Sequence, residues 1–245
     1  VCYNGTFHLE EAIKEEKPAG LKELGDWPTI YHGLSKLPVR SKESWFTFDH
    51  HYSDQAFPQA REEVFKFKPK SMLDIGGNTG KWSFICVEND PDVHMTIVDL
   101  PSQTGLANPR IKEVGLEDRI STHEQNVLDE EYELPKNQDA VWMSQFLDCF
   151  SPEQIKHILS HAKDALSDDG RVFILETFWD MQESMTATYC LHGTSLYFTS
   201  MANGNSKMYD SKRMAQYVEE AGLEVEKIVE TVGYYHSLMV CKKKS

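Results

Sequence analysis

The chain has 245 residues, 40% of them hydrophobic and 26% charged, which predicts a folded domain with a sizeable core and excludes long disordered tracts. Its 39 acidic residues outnumber its 25 basic residues and give a net charge of −14, which argues against a nucleic-acid partner. No apolar run reaches the ~20 residues that a membrane helix needs, so no membrane partner is expected.

The spacing of the cysteines and the pattern of the first residues bear on the cellular compartment. The five cysteines are widely spaced and form no CxxC pair, so neither a disulfide framework nor a zinc ribbon is predicted. The chain begins at Val1 and shows no signal-peptide pattern. We therefore expect a cytoplasmic protein, or a fragment of a longer cytoplasmic chain.

Residues 1–45 are predicted to form an N-terminal helical segment. Prolines and glycines interrupt this stretch at short intervals, and no part of it has a self-sufficient apolar face. Such a segment is typical of the remnant of an upstream module or of a docking arm.

From residue 71 onward, short apolar runs alternate with helical patterns. One helix begins with an N-cap at Ser151, proline at the next position and Gln154 three residues after the cap, and it is expected to continue to Gly170. The alternation predicts an α/β fold with an open, mostly parallel sheet and helices on both faces. Strands are predicted at 71–75, 93–98, 140–143, 171–176, 223–230 and 235–241, and further helices at 81–89 and 211–221.

A glycine-rich loop lies between the first predicted strand and the next helix, from Asp74 to Gly80. Glycines there allow a tight turn and a close approach of the backbone to a ligand, although simple turn chemistry is an alternative. Lys81 is followed by Trp82, so the loop is not of the phosphate-cradling lysine–serine type. Asp99 ends the next strand, where a carboxylate can hold two ribose hydroxyls or can simply begin a turn.

These motifs resemble those of the S-adenosylmethionine-dependent small-molecule O-methyltransferases, the group that contains the plant phenolic and acetylserotonin enzymes. Residues 73–80 are similar to the first motif of that family, 99–101 to the second, and 139–143 and 148–153 to later ones. The resemblance implies a Rossmann-like methyltransferase domain over 46–245 with a seven-stranded sheet. It also implies that 1–45 is the end of a dimerisation domain, and hence a homodimer.

The resemblance further implies a set of residues for S-adenosylmethionine. Asn126 and Val127 stand where the family has an acidic residue and methionine beside the adenine, and Ser144 replaces a lysine. The expected cofactor-binding residues are Asp74, Gly76, Gly77, Asn78, Gly80, Asp99, Leu100, Asn126, Val127 and Ser144.

The catalytic position departs from the family. Alignment places Asp148 where the family has its general-base histidine, and Glu176 on the first of two supporting glutamates; the second falls near Met208 and is lost. A carboxylate with an ordinary pKa of about 3.9 is a weak base toward a phenol of about 10, although burial beside Glu176 could raise one of the pair. Three roles therefore stay open for Asp148. It is a base for O-methylation, a group that orients or polarises a phenol for methylation at carbon, or a cap of the following helix.

Two aromatic stretches are candidates for the acceptor site. Residues 44–52 could line a substrate pocket through Trp45 and Phe48, or pack in the core. His50 and His51, if on a strand, would point to opposite faces, so no metal site is predicted. In residues 189–198, which fall where family members have substrate-contacting helices, the candidates are His192 and Tyr197.

The sequence therefore predicts a methyltransferase that uses S-adenosylmethionine and acts on a small hydroxylated aromatic acceptor. Three alternatives stay open at this point: C-methylation of a phenolic ring by the same fold, a catalytically inactive cofactor-binding scaffold, and a dinucleotide oxidoreductase. The spacing of the motifs after Asp99 argues against the last of these.

Overall fold

The computed structural model describes residues 2–244, apart from the side chains of Ser35, Phe46, Asp49, His50 and Tyr52. Within this range seven strands form one sheet in the order β3-β2-β1-β4-β5-β7-β6. Strands β1 to β5 pair in parallel, and β7 runs antiparallel to both β5 and β6. The strands are β1 (Ser71–Ile75), β2 (His94–Asp99), β3 (Ile120–Glu124), β4 (Gln138–Ser144), β5 (Leu166–Glu176), β6 (Leu223–Val232) and β7 (His236–Lys243).

Helices cover both faces of the sheet, as the sequence predicts. The described helices are α1 (Cys2–Gly5), α2 (Leu9–Glu15), α3 (Ile30–Gly33), α4 (Val39–Val64), α5 (Lys81–Asn89), α6 (Pro101–Glu113), α7 (Pro152–Ala165), α8 (Met185–Tyr197) and α9 (Ser211–Glu220). Short 3-10 turns connect several of them, and a π-helical turn at Phe198–Ala202 continues α8. No described helix combines the length and the apolar character needed to cross a membrane.

Two apolar layers form the main core, one on each face. One layer joins α7 and α9 to the sheet through residues such as Ile155, Leu159 and Met214. The other joins α4, α5 and α6 to the opposite face, where the rings of Trp82 and Trp142 stack with their centroids 3.8 Å apart. Both layers pack along the central strands β1 and β4, through Leu73 and Met143 on one face and Met72 and Trp142 on the other.

The start of α7 agrees with the prediction, whereas its end does not. Ser151 and Gln154 form a reciprocal capping box, and because Ser151 fills the N-cap position, the capping role considered for Asp148 is wrong. The helix ends at Ala165 rather than continuing to Gly170, because Leu166 already pairs with Gln138 of β4.

Residues 44–52 lie in the middle of α4, so the strand geometry used for His50 and His51 is wrong. This 26-residue helix contains Pro58 and buries Ala56, Phe57 and Ala60 against the sheet. A sequence with few apolar residues and an internal proline gives a weak helical signal, and tertiary packing decides the structure here.

The N-terminal segment consists of short helices, which confirms that expectation. Its apolar residues Leu21, Ile30, Leu34 and Leu37 pack with Ala202 of the π-helical turn. The segment therefore covers the end of the sheet where β1 and β4 finish. Helix α4 continues through the predicted boundary at residues 45 and 46, and the division into two domains stays a prediction.

Candidate active site

A large cavity opens at the carboxyl ends of the central strands, roofed by the N-terminal segment and α8. Its volume of about 1670 Å³ exceeds the ~300–1,000 Å³ that is typical of a site for one small ligand. The strand order reverses between β1 and β4, and in open parallel sheets ligands bind at such a point. The cavity therefore has room for two molecules side by side, which we call the cofactor half and the acceptor half.

The glycine loop after β1 forms the floor of the cofactor half. Gly76 has φ of +73°, and a Cβ atom there would lie 2.2 Å from the ring of Phe146. A Cβ atom on Gly77 would lie 2.7 Å from Cγ of Asp74. Only glycine fits these positions, so the backbone itself faces the cavity, as the sequence predicts.

Asp74 lies beneath this loop and is buried. Its Oδ2 accepts a hydrogen bond of 2.7 Å from the hydroxyl of Ser83 on α5. Burial raises the pKa of Asp74 to about 7. The hydrogen bond from Ser83 lowers this pKa, and the charge of Asp99 makes a smaller contribution that raises it. Asp74 thus connects β1 to α5 and supports the loop from below.

Asp99 ends β2 and holds the other side of the loop. Its Oδ2 accepts a hydrogen bond from the backbone N–H of Asn78 at 2.9 Å, and its Oδ1 accepts one from Leu100 at 2.7 Å. Burial raises the pKa of Asp99 to about 6, and the two hydrogen bonds oppose that rise. A carboxylate fixed in this way at the cavity wall is suited to ribose hydroxyls.

Several buried polar atoms on the cavity wall have no hydrogen-bond partner within the part of the chain that the structure describes. They are Asn78 Oδ1, Gln103 Oε1, Trp142 Nε1, Ser144 Oγ and Asn205 Oδ1. Buried polar groups are costly without partners, so their concentration around one cavity indicates a polar ligand. Asn78, Gln103 and Ser144, together with Asp99 and the bare backbone at Gly76, suit the ribose, amine and carboxylate groups of S-adenosylmethionine.

Asn126 and Val127 border the cofactor half on the opposite side. Val127 is buried and supplies an apolar surface. Asn126 is exposed, and its side chain donates to Asp129 Oδ1 at 2.9 Å and accepts from the N–H of Leu128 at 3.2 Å. These hydrogen bonds hold the loop that carries Asn126, which lines the cavity, and its contact with the adenine stays a prediction.

Asp148 and Glu176 meet at the boundary between the two halves. Glu176, at the end of β5, accepts hydrogen bonds at Oε1 from the backbone N–H groups of Phe146 and Leu147, at 3.0 and 2.9 Å. Burial, and secondly the charge of Asp148, raise the pKa of Glu176 well above its ordinary value, which favours its protonated form. Glu176 thereby holds the turn that carries Asp148 toward the cavity.

A small void beside the two carboxyl groups is lined by Met208 and Tyr209. Met208 is the position that aligns with the second glutamate of the family, so that position lies next to Asp148 in space but carries an apolar side chain. Asp148 therefore has one supporting glutamate, Glu176, and lacks the second.

The acceptor half is lined by aromatic residues from distant parts of the chain. Trp45, Phe48 and Tyr197 line it, as predicted, and Trp45 is a hydrogen-bond partner of the hydroxyl of Tyr197. His192 is exposed, packs beside Trp179 with the ring centroids 5.0 Å apart, and does not line the cavity. The structure therefore gives no support to substrate contact by His192.

Sequence reasoning missed several residues of this site. Tyr31 of α3, Gln103 of α6 and Phe146 all line the cavity. Gln103 had a usable signal, since it lies on the first turn of the helix that follows Asp99. Tyr31 had none, because nothing in its local sequence indicates that its segment folds over the sheet.

Among the described side chains, no group of three or more histidine, cysteine, aspartate or glutamate residues is arranged to hold a metal ion. His51 is exposed on α4, and the side chain of His50 lies outside the described residues.

The family model of the O-methyltransferase domain matches residues 9–224. The chain belongs to this family. Membership confirms the resemblance carried by the motifs, and with it the expected fold class and the dependence on S-adenosylmethionine. The match begins inside the N-terminal segment and so includes both halves of the cavity.

Two curated relatives share part of their length with this chain. It is 24% identical to an L-tyrosine C(3)-methyltransferase of Streptomyces lavendulae over 92% of this chain and 61% of the relative. It is 32% identical to a 3-hydroxy-5-methyl-1-naphthoate 3-O-methyltransferase of Streptomyces sahachiroi over 74% of this chain and 50% of that relative. The chain thus spans between half and about three fifths of these proteins.

A solved structure shows the same fold. The O-methyltransferase NcsB1 of neocarzinostatin biosynthesis, in complex with S-adenosylhomocysteine and 1,4-dihydroxy-2-naphthoic acid, has a TM-score of 0.79 and 20% identity. The alignment covers 98% of this chain and 68% of NcsB1. At this identity the likeness concerns the arrangement of strands and helices.

Proposed function

We propose that this protein transfers a methyl group from S-adenosylmethionine to a hydroxyl oxygen of a small aromatic acceptor. The observation that carries the proposal is a buried carboxylate, Asp148, between the glycine-loop half of the cavity and a half walled by Tyr31, Trp45 and Tyr197. This arrangement provides a donor site, an aromatic acceptor site and a proton acceptor between them.

The cofactor half holds the methyl donor. Asp99 binds the ribose hydroxyls, the backbone at Gly76 and Gly77 faces the methionine portion, and Val127 packs beside the adenine. When bound, S-adenosylmethionine supplies a methyl group on a positively charged sulfur. Positioning of the two reactants then accounts for much of the rate, since a well-oriented pair can gain about 7–11 kcal/mol over the same reaction between free molecules.

Asp148 takes the hydroxyl proton of the acceptor. A carboxylate is a weak base toward a phenol, but it acts here at short range and in a buried site, where an ionised group interacts strongly. Glu176 fixes the turn that carries Asp148, and its protonated form avoids placing two negative charges side by side. The Tyr31, Trp45 and Tyr197 side chains present flat surfaces for an aromatic ring.

Methylation at a ring carbon is the second candidate. It is favoured by the similarity to a tyrosine C(3)-methyltransferase over 92% of this chain. It is also favoured by the replacement of a histidine by Asp148, because a carboxylate that hydrogen-bonds a phenol would increase the electron density at the ring carbons. Both reactions use the same donor site and differ in which acceptor atom faces the methyl group.

We also propose a homodimer in the cytoplasm. Apolar side chains project into solvent from α1, the turn after it and α8, with Tyr3 77%, Phe7 73%, Met185 90% and Tyr189 78% exposed. The rings of Tyr3 and Phe7 lie in edge contact with their centroids 5.4 Å apart, and exposed apolar side chains of this kind are typical of a surface that a second subunit covers.

The test is methyl transfer from S-adenosylmethionine carrying a 13C-labelled methyl group to a panel of phenols, catechols and hydroxynaphthoates. Labelled methoxy products support O-methylation, and labelled aryl-methyl products support the second candidate. If the chain binds S-adenosylmethionine but methylates nothing in the panel, the inactive-scaffold alternative gains and the enzymatic proposal is contradicted. Matched phenol and methyl-ether pairs control for non-specific transfer.

A further inference from the structure

A series of polar contacts joins the N-terminal segment to Asp148. The hydroxyl of Tyr31, on α3, lies against the thiol of Cys149 and interacts with it. The thiol of Cys149 in turn donates to Oδ1 of Asp148 at 3.3 Å. Cys149, to which the proposed reaction gives no role, thus connects Tyr31 of the acceptor wall to the carboxylate of Asp148.

The direction of this series of contacts is fixed by the protonation of its members. Burial raises the pKa of the Tyr31 hydroxyl well above its ordinary value, and the nearby Cys149 and Asp148 add to the effect. Burial and the charge of Asp148 likewise raise the pKa of the Cys149 thiol. Both groups therefore keep their protons near neutral pH, so the thiol of Cys149 donates to Asp148 and the hydroxyl of Tyr31 can donate to the sulfur of Cys149.

The other titratable groups near Asp148 are occupied differently. Glu176 Oε1 accepts from the Phe146 and Leu147 N–H groups. Tyr209, which also approaches Asp148, donates its hydroxyl to the carbonyl of Phe150 at 2.7 Å. Tyr197 lies near Cys149, but its hydroxyl is hydrogen-bonded to the side chain of Trp45. The series of contacts from Tyr31 through Cys149 thus supplies a donor that Glu176 and Tyr209 do not.

We propose that Tyr31 and Cys149 are positioning residues, which orient the Asp148 carboxylate and favour its ionised form so that it can accept the proton of the acceptor. This inference rests on the proposed function and extends it to the N-terminal segment. A donor that points at a carboxylate stabilises the charged state and restricts its rotation. The N-terminal segment, which roofs the acceptor half, therefore also influences the protonation state of Asp148.

The test compares Tyr31→Phe and Cys149→Ala with the wild-type chain through the pH dependence of kcat. Both variants should move the acidic limb of the profile to higher pH by about 0.5–1 unit, because Cys149→Ala removes the donor to the ionised carboxylate and Tyr31→Phe removes the hydroxyl that orients that donor. The turnover below that limb should fall about 3- to 10-fold, with the KM for S-adenosylmethionine unchanged. Cys149→Ser, which restores a donor, should return the limb toward its wild-type position.

Tyr234→Phe is the matched control, because Tyr234 is 61% exposed in the turn before β7 and lies outside the cavity lining. It should leave the profile unchanged. An unshifted limb in both Tyr31→Phe and Cys149→Ala, with wild-type activity intact, overturns the inference while leaving the proposed function standing.

A second measurement does not depend on turnover. The carboxylate band of Asp148, identified by infrared difference spectroscopy against Asp148→Asn, should titrate at higher pH in Tyr31→Phe than in the wild type. An identical titration would overturn the inference even if the wild-type chain proved inactive, and that inactivity would by itself count only against the proposed function.

Discussion

The two halves of the cavity are built in different ways. The cofactor half comes largely from one stretch of chain, in which β1, the glycine loop, α5 and β2 follow one another, and the backbone of the glycine loop faces the cavity. The acceptor half is assembled from α3, α4, α8 and the turn before α7, which are far apart in sequence. Local geometry therefore dictates the first half, and tertiary packing dictates the second.

The largest expected effect lies at the boundary of the two halves. Asp148→Asn keeps the shape of the side chain but removes its ability to take a proton, so kcat should fall about 100- to 10,000-fold. The affinity for S-adenosylhomocysteine, measured by calorimetry, should change little, since Asp148 is outside the cofactor half. Asp168→Asn, an exposed change on β5, is the control. Full activity in Asp148→Asn would leave Asp148 without a catalytic role.

A comparable loss is expected in the cofactor half from Asp99→Ala. The variant loses the ribose ligand and the acceptor of the Asn78 and Leu100 hydrogen bonds, and hydrogen bonds to charged groups are worth about 1.5–3 kcal/mol each. Affinity for S-adenosylhomocysteine should therefore fall at least about 100-fold. Asp92→Ala, in the exposed turn before β2, should bind normally. Wild-type affinity in Asp99→Ala would rule out the ribose assignment.

The glycine loop offers a matched pair of smaller changes. Gly76→Ala places a methyl group against Phe146 at positive φ, so the free energy of unfolding should fall by about 1–3 kcal/mol. Gly105 lies inside α6 with open space where its Cβ would be, and Gly105→Ala should raise that free energy by about 0.5–1 kcal/mol. Urea denaturation of both variants measures this difference. Equal stabilities would mean that the loop is not sterically constrained.

The smallest effect concerns the pH dependence of stability. The pKa of Asp74 is about 7 in the folded protein and lower in the unfolded chain, so the folded state binds more protons between those values. Stability should therefore fall as pH rises toward 7, by at most about 1.4 kcal/mol per pH unit from this group. Asp74→Asn, which can still accept from Ser83, should flatten that slope in denaturation series at pH 5, 6 and 7. If the stability of Asp74→Asn fell with pH as steeply as that of the wild type, Asp74 would not be the source of the pH dependence.

The same contrast explains how much the sequence could predict. Strand β1, helix α5, the capping box of α7 and the positions of Gly76, Gly77 and Asp99 follow from local rules, and the structure places them as expected. These rules concern neighbours along the chain, for which periodicity and turn chemistry are informative.

The acceptor half shows where local rules end. Trp45 and Phe48 line the cavity, which is one of the two predicted alternatives, but they do so from a helix rather than from the strand considered for the neighbouring His50 and His51. His192 was expected at the acceptor and lies on the outer surface beside Trp179. Tyr31 lies beside Asp148 because Leu21, Ile30 and Leu34 anchor its segment over the π-helical turn. Contacts of this range depend on the complete fold.

The most direct test of the account is a calorimetric titration of the purified chain with S-adenosylmethionine and S-adenosylhomocysteine, with NAD as the control. We expect micromolar binding of both sulfur nucleotides and none of NAD, because the proposed site pairs a ribose ligand, Asp99, with a glycine loop that faces an amino-acid portion, and the remaining half of the cavity is lined by aromatic side chains. Absence of binding of the sulfur nucleotides to a folded chain, or equal binding of NAD, would contradict the assignment of the cavity.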